Sequence, residues 1–301
     1  MVNSHRRSPR RVRVDPSPVS TSPTQNPWQR FWDRGGWWRA LLLAAAYYGV
    51  YQLLSLLINH LPGGQAAAGL DTSDPLGLLI GTALPIALGA AVLIGFAASV
   101  GWLRPLFGPQ PRRQRGWVWI GIGVVVAINA SALIALDFGS AGGALVATWL
   151  LTGLCIGLAE ELLTRGVVVE LMRRAGYGEI AIAVASAGIF AALHSGNLFT
   201  TDQGVATTAA QVVYTFGFGV IMYLALRLTG RLIVPILLHA STDPMILLFS
   251  EHPTQGNPLE LLPMLSTPLI VATGGLLLIV FVVSERRVGA RDAANADEPW
   301  P

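Results

Sequence analysis

Eight long apolar segments constrain the fold of this 301-residue chain more than any other feature. Each is close to the roughly 20 residues that an α-helix needs to cross a bilayer. They cover residues 40–58, 76–102, 117–136, 144–172, 180–199, 207–228, 232–249 and 268–284. We therefore predict an all-α integral membrane protein, a bundle of about eight transmembrane helices.

Composition supports this class, since 52% of the residues are hydrophobic and only 12% are charged. A soluble domain carries about 25% charged residues. The single cysteine, Cys155, excludes an intramolecular disulfide and a cysteine-based zinc site. Despite the net charge of +3, we predict no nucleic-acid partner, because the basic residues follow membrane topology instead. Membrane lipids are the expected surroundings.

All 20 basic residues are arginine, and they alternate between loops. Nineteen lie before or at the start of the first segment, in the second, fourth and sixth loops, or after the last segment; the twentieth, Arg165, lies inside the fourth segment. Positive residues are enriched in cytoplasmic loops. This pattern predicts that both termini are cytoplasmic, and we expect a multi-pass protein of the bacterial cytoplasmic membrane.

The chain divides into one membrane domain and two tails. Residues 1–36, rich in arginine, proline, serine and threonine, are predicted to be a disordered basic tail near anionic lipid. Residues 37–284 form the predicted membrane domain, and residues 285–301 a disordered C-terminal tail. Pro85 in the second segment and Pro235 and Pro244 in the seventh are expected to kink or interrupt their helices.

The fourth segment carries two adjacent carboxylates and a guanidinium, Glu160, Glu161 and Arg165. Charges at membrane depth are costly unless they are paired or face water. Glu161 and Arg165 are i,i+4 neighbours on one helix face, whereas Glu160 lies about 100° around the helix. A structural ion pair needs only one carboxylate, so the second one favours a functional site.

Three more ionisable residues lie in neighbouring segments: His194 in the fifth, and His239 and Asp243, again at i,i+4, in the seventh. At ~1.5 Å per helical residue, Glu160 and these three share a band near the middle of the bilayer. Carboxylates deprotonate water, and imidazoles ligate a metal or donate to an oxyanion. Glu160, His194 and His239 also match the ligand types of a hydrolytic zinc site. Either arrangement predicts hydrolysis.

The order of these motifs resembles the CAAX protease and bacteriocin-processing family, also called Abi, which includes the type II CAAX prenyl endopeptidases. The resemblance rests on Glu160-Glu161-x-x-x-Arg165, Phe190-x-x-x-His194 and His239-x-x-x-Asp243. It covers about residues 144–249, whereas the first three segments carry no motif. Thr164 stands where this family often has an aromatic residue, and Asp243 where it often has asparagine.

The resemblance implies an intramembrane endopeptidase that acts on membrane-associated or lipid-modified protein or peptide substrates. It implies that Glu160 activates water, with Glu161 and Arg165 holding it, and that Asp243 supports His239. His194 and His239 would be metal ligands together with Glu160, or a general acid and an oxyanion donor. One divalent ion, zinc, and a metal-independent mechanism both stay open. So do two rivals: a non-catalytic scaffold or immunity protein of the same fold, and a proton-coupled transporter.

Overall fold

The computed structural model describes residues 26–61, 72–111, 116–201 and 203–296, with side chains described up to residue 288. In these ranges, eight helices are long and apolar enough to cross a membrane, and we number them spans 1 to 8. Their bounds are Trp37–His60, Pro75–Ser99, Gly116–Ile134, Gly143–Arg174, Glu179–Thr200, Val205–Thr229, Ile233–Glu251 and Ser266–Val288. The described residues contain no β-strand. The prediction of an all-α multi-pass membrane protein is confirmed, and the orientation of its termini stays a prediction.

Two spans form the centre of the bundle. The second half of span 4 is completely buried over residues 161–169, and so is span 6 over residues 217–227. A helix that is apolar on all sides is typical of such a central position. Spans 1 and 8 lie at the periphery, where large apolar residues such as Leu56 and Leu276 are exposed toward the surroundings.

Glycines allow the spans around the site to approach closely. Gly153 and Gly157 of span 4 face span 7 so closely that a side chain at Gly157 would lie 2.5 Å from the carbonyl oxygen of Ile236. Gly219 of span 6 packs in the same way against Ala187 of span 5. Small residues at such positions let backbones of neighbouring membrane helices come into contact.

The predicted proline effects differ between the two spans. In span 2, Pro85 follows a π-helical turn, Leu79–Ala83, so the regular helix is broken just ahead of it. In span 7, by contrast, neither Pro235 nor Pro244 interrupts the helix, which runs from Ile233 to Glu251.

The predicted tails need correction at their inner ends. Pro27–Asp33 form a helix with a capping box between Asn26 and Gln29, and Trp32 packs edge-on against Phe96 of span 2. Burial of these aromatic side chains supplies the stability that a basic tail alone lacks. At the other end the last helix continues to Ala296, since alanine and arginine in this stretch favour helix. Residues 1–25 of the predicted N-terminal tail lie outside the described residues.

Short helices connect or flank the spans. They are Leu103–Phe107, Phe138–Ala141, Asn197–Thr200 and Leu261–Met264. Within span 5, the main helix ends at His194, and Asn197–Thr200 follow after a turn.

Candidate active site

A change of helical geometry marks the carboxylate pair of span 4. The α-helix Gly143–Glu161 ends at the second carboxylate, a π-helical segment Leu162–Val168 follows, and α-helix resumes at Val169. π-Helical turns inside α-helices are frequent at functional sites. The segment is completely buried, so its polar side chains depend on partners inside the protein.

Arg165 is the hub of a buried polar network. Its Nη1 donates to Glu161 Oε1 at 3.0 Å and to Thr164 Oγ1 at 2.6 Å, and its Nη2 donates to the carbonyl oxygen of Gly219 at 2.8 Å. The guanidinium carbon also lies 4.6 Å from the centre of the Phe190 ring. The predicted ion pair between Glu161 and Arg165 is confirmed, with both side chains fully buried. Two buried opposite charges tolerate this environment because each compensates the other.

His239 of span 7 is oriented by the same network. Its Nδ1 lies 2.9 Å from Glu161 Oε1. Because that oxygen also accepts from Arg165, we assign the ring nitrogen as the donor. Glu161 therefore contacts His239 and Arg165. The role implied by the resemblance, in which Glu161 holds Glu160, is corrected: Glu161 holds the histidine.

The second ring nitrogen of His239, Nε2, lies near two carboxylates. This nitrogen lies 3.7 Å from Glu160 Oε2 and 3.7 Å from Asp243 Oδ2. These distances are too long for direct hydrogen bonds. The rings of Phe190 and Phe218 pack edge-on against the imidazole, with centroids 5.6 and 5.0 Å away. The ring is thus held in place while Nε2 stays available to a reacting group.

Glu160 is the carboxylate that faces open space. Its side chain is 27% exposed, yet Oε2 is buried and has no hydrogen-bond partner among the described residues. A cavity of about 220 Å³ lies beside it, lined also by Tyr47, Tyr51, His194 and Gln211. A carboxylate oxygen that is shielded from solvent but unpaired is suited to hold and deprotonate a water molecule.

His194 connects this cavity to a second one. Its Nδ1 lies 3.0 Å from the carbonyl oxygen of Phe190, which leaves Nε2 for other partners. The second cavity, about 420 Å³, is lined by His194, His239 and Asp243 and reaches Thr207 and Thr267. The structure therefore joins five predicted residues by direct approaches of 3.7 Å or less, and His194 through a shared cavity.

Sequence reasoning missed residues from spans 1, 3 and 6. Tyr47 faces the Glu160 cavity, and its hydroxyl has no hydrogen-bond partner in the part of the chain that the structure describes. Tyr214 lines the larger cavity. Asn129 of span 3 donates to Ser241 and Thr242, which fixes span 7 beside His239. The available signal was a polar or phenolic residue inside an apolar span.

The predicted metal ligands do not form a recognisable centre. Among the described residues, no group of three or more His, Cys, Asp or Glu side chains is arranged to hold a metal ion. Glu160 and His239 form one pair of donors, whereas one nitrogen of His194 is engaged by a backbone carbonyl. Catalytic zinc sites usually have three protein ligands. The arrangement as it stands does not fit such a site, and the ligand set Glu160, His194 and His239 stays a prediction.

Comparison with known proteins agrees with the location of these motifs. The family model described as type II CAAX prenyl endopeptidase, Rce1-like, matches residues 142–245. This range contains all six predicted site residues. No curated protein and no solved structure gives a significant match to the chain. Over residues 142–245, about a third of the chain, the sequence is similar to the Rce1-like type II CAAX prenyl endopeptidases.

Proposed function

We propose that this protein is an intramembrane endopeptidase that hydrolyses peptide bonds of membrane-associated or lipid-modified proteins or peptides. The matched family favours membrane protease activity in general. The observation that carries the proposal is Glu160, whose side chain lines a cavity shared with His194 and whose unpaired, buried carboxylate oxygen Oε2 lies 3.7 Å from His239 Nε2. We further propose that the protein resides in the bacterial cytoplasmic membrane with both termini in the cytoplasm.

In the proposed reaction, Glu160 takes a proton from water while the water oxygen bonds to the carbonyl carbon of the scissile peptide. The carbonyl π electrons move to oxygen and form a tetrahedral oxyanion. Collapse of this intermediate breaks the C–N bond, and Glu160 returns the proton to the leaving nitrogen. The products are a carboxylic acid and an amine, so atoms and charge balance with water as the only co-reactant.

The neighbouring side chains position the catalytic groups and stabilise the charge that develops during the reaction. Glu161 and Arg165 fix the ring of His239, so that Nε2 points toward the reacting groups. His239 and His194 are proposed to stabilise the oxyanion or to transfer protons, and Asp243 to support His239. Donors aimed at a developing oxyanion are worth more in a site from which water is excluded.

A metal-dependent mechanism is the alternative to the reaction described above. It would use Glu160, His194 and His239 as ligands to one zinc ion, and we route no step through it because the described ligands do not form a three-donor centre. Elemental analysis of purified wild-type protein and of His194→Ala tests this alternative. We expect cleavage to persist after chelation. Near-stoichiometric zinc that disappears in the variant, together with loss of wild-type cleavage after chelation, would contradict that expectation.

The main test measures cleavage of a library of membrane-anchored peptides by the full-length protein in proteoliposomes, with products identified by mass spectrometry. We expect Glu160→Gln to abolish cleavage. The matched control is Glu170→Gln on the same span, about 15 Å away along the helix, where the carboxylate pairs with Arg174 at 2.7 Å. The control should retain activity.

The rival functions give other results. A folded wild-type protein that cleaves nothing in the library, or a Glu160→Gln variant that still cleaves, would overturn the proposal. If no peptide is cleaved but a solute crosses the membrane in a pH-dependent way, the protein is a transporter. If there is neither cleavage nor transport, the protein is a scaffold.

A further inference from the structure

A third cavity lies at the arginine-rich end of the bundle, away from Glu160. It has a volume of about 320 Å³ and is lined by residues from the ends of spans 4, 5 and 6, including Arg173, Tyr177, Glu179 and Arg227. Tyr177 is 38% exposed, so the cavity is accessible from the end of the bundle. None of these residues takes part in the proposed hydrolysis.

The carboxylate of this cavity is already compensated. Arg227 Nη2 donates to Glu179 Oε1 at 3.0 Å, and its Nε lies 2.9 Å from Glu179 Oε2. The hydroxyl of Tyr223 donates to the same Oε2 at 2.5 Å. A guanidinium paired with both oxygens of a carboxylate leaves little charge to the surroundings. Glu179 and Arg227 therefore contribute almost no net charge to the lining of the cavity.

Arg173, in contrast, forms no ion pair with a carboxylate in the described part of the chain. Its Nη1 donates to the neutral side-chain oxygen of Gln110 at 2.8 Å, and its Nη2 is buried without a hydrogen-bond partner among the described residues. Glu170 lies three residues before Arg173 on the same helix, but its carboxylate pairs with Arg174, at 2.7 Å. Arg174 has a second acidic partner, Asp33, at 2.6 Å. A partly buried guanidinium with an unused donor is an incomplete site.

We propose that this cavity binds an anion bearing phosphate, with the guanidinium of Arg173 as its main contact. Guanidinium groups match phosphate oxygens in charge and in the geometry of their donors. The predicted cytoplasmic side of the bundle adjoins anionic lipid headgroups, and basic pockets between spans on this side bind such groups. A lipid headgroup and free phosphate share this chemistry, and the experiment separates the two sources.

The experiment measures retention of phosphatidylglycerol by the delipidated, full-length protein in detergent, using native mass spectrometry with phosphatidylcholine as the zwitterionic comparison. We expect Arg173→Gln to weaken phosphatidylglycerol binding about five-fold, since one arginine near an anionic surface contributes on this scale. Arg174→Gln is the matched control, because it removes a neighbouring charge that already has acidic partners. It should leave lipid retention unchanged.

Two further arms keep the test decisive. Gly178→Glu adds a carboxylate at the cavity rim, where a new Cβ meets no atom within 4 Å, and should weaken lipid binding while Arg173 stays in place. Inorganic phosphate is added to the wild type: thermal stabilisation that is lost in Arg173→Gln, without preference for phosphatidylglycerol, assigns the site to free phosphate. Equal lipid retention and equal phosphate response in the wild type, Arg173→Gln and Gly178→Glu would overturn the proposal.

Discussion

The buried pair of Glu161 and Arg165 makes a quantitative prediction about stability. Arg165→Met removes three donated hydrogen bonds and leaves the Glu161 carboxylate, which has no exposed surface, with His239 as its remaining partner. Removing one member of a buried ion pair costs about 3–5 kcal/mol, because the other charge stays buried without compensation. We expect this loss in the free energy of unfolding.

A second substitution separates charge from packing. In the double variant Glu161→Gln, Arg165→Met, the buried position is neutral, so we expect at least half of the lost stability to return. Neutral replacement of both members of a buried pair is often close to neutral overall. Packing of the Arg165 side chain against Phe190 is lost in both variants, so recovery reports on charge.

The assay is reversible unfolding in mixed micelles, followed by tryptophan fluorescence. Arg174→Gln is the surface control: its side chain is 28% exposed and pairs with Asp33 and Glu170, so the change should cost about 1 kcal/mol or less. A loss below about 1 kcal/mol for Arg165→Met would refute the reasoning from uncompensated burial. So would a double variant that is less stable than the single one.

Two other predictions concern packing and the cavity beside Glu160. Gly157→Ala should destabilise the protein by about 1–3 kcal/mol, since the new Cβ would lie 2.5 Å from the carbonyl oxygen of Ile236. Gly123→Ala is the control, because a Cβ there meets no atom within 4 Å. Thermal unfolding of both variants tests this prediction. We propose that Tyr47, which lines the cavity beside Glu160, donates to the substrate carbonyl through its hydroxyl, so Tyr47→Phe should lower kcat for peptide cleavage about 100-fold with KM unchanged. Tyr48 lines the same cavity, but its hydroxyl already accepts from Gln52 at 2.8 Å, so Tyr48→Phe is the matched control and should leave kcat near the wild-type value. Equal kinetics for the two variants would contradict the role of Tyr47.

The membrane fold could be predicted from the sequence because it depends on local properties. Length and hydrophobicity of each segment determine whether it spans a bilayer. All eight segments correspond to helices with ends within a few residues, except that the last helix continues to Ala296. The helix at Pro27–Asp33 was not predicted, because its stability comes from contacts with aromatic residues of span 2. Such contacts between distant parts of the chain are invisible to a local pattern.

The site shows the same division between local and tertiary information. The i,i+4 spacing of Glu161 and Arg165 predicted their ion pair, since one helix fixes both positions. The contact between Glu161 and His239 joins two spans, and spacing along the chain cannot tell which of two adjacent carboxylates a distant histidine approaches. Tyr47 was missed for another reason: a tyrosine in an apolar span is ordinary, and only the folded bundle places it beside Glu160.

The most direct test of the account compares the two adjacent carboxylates in one experiment that records both activity and stability. For Glu160→Gln we predict complete loss of peptide cleavage with unfolding free energy close to the wild-type value. Glu160 lines a cavity and, among the described residues, has no ion pair shorter than 3.7 Å. For Glu161→Gln we predict loss of both, because this carboxylate binds Arg165 and His239 inside the bundle. A stable, fully active Glu160→Gln variant would contradict the central claim that Glu160 activates the attacking water.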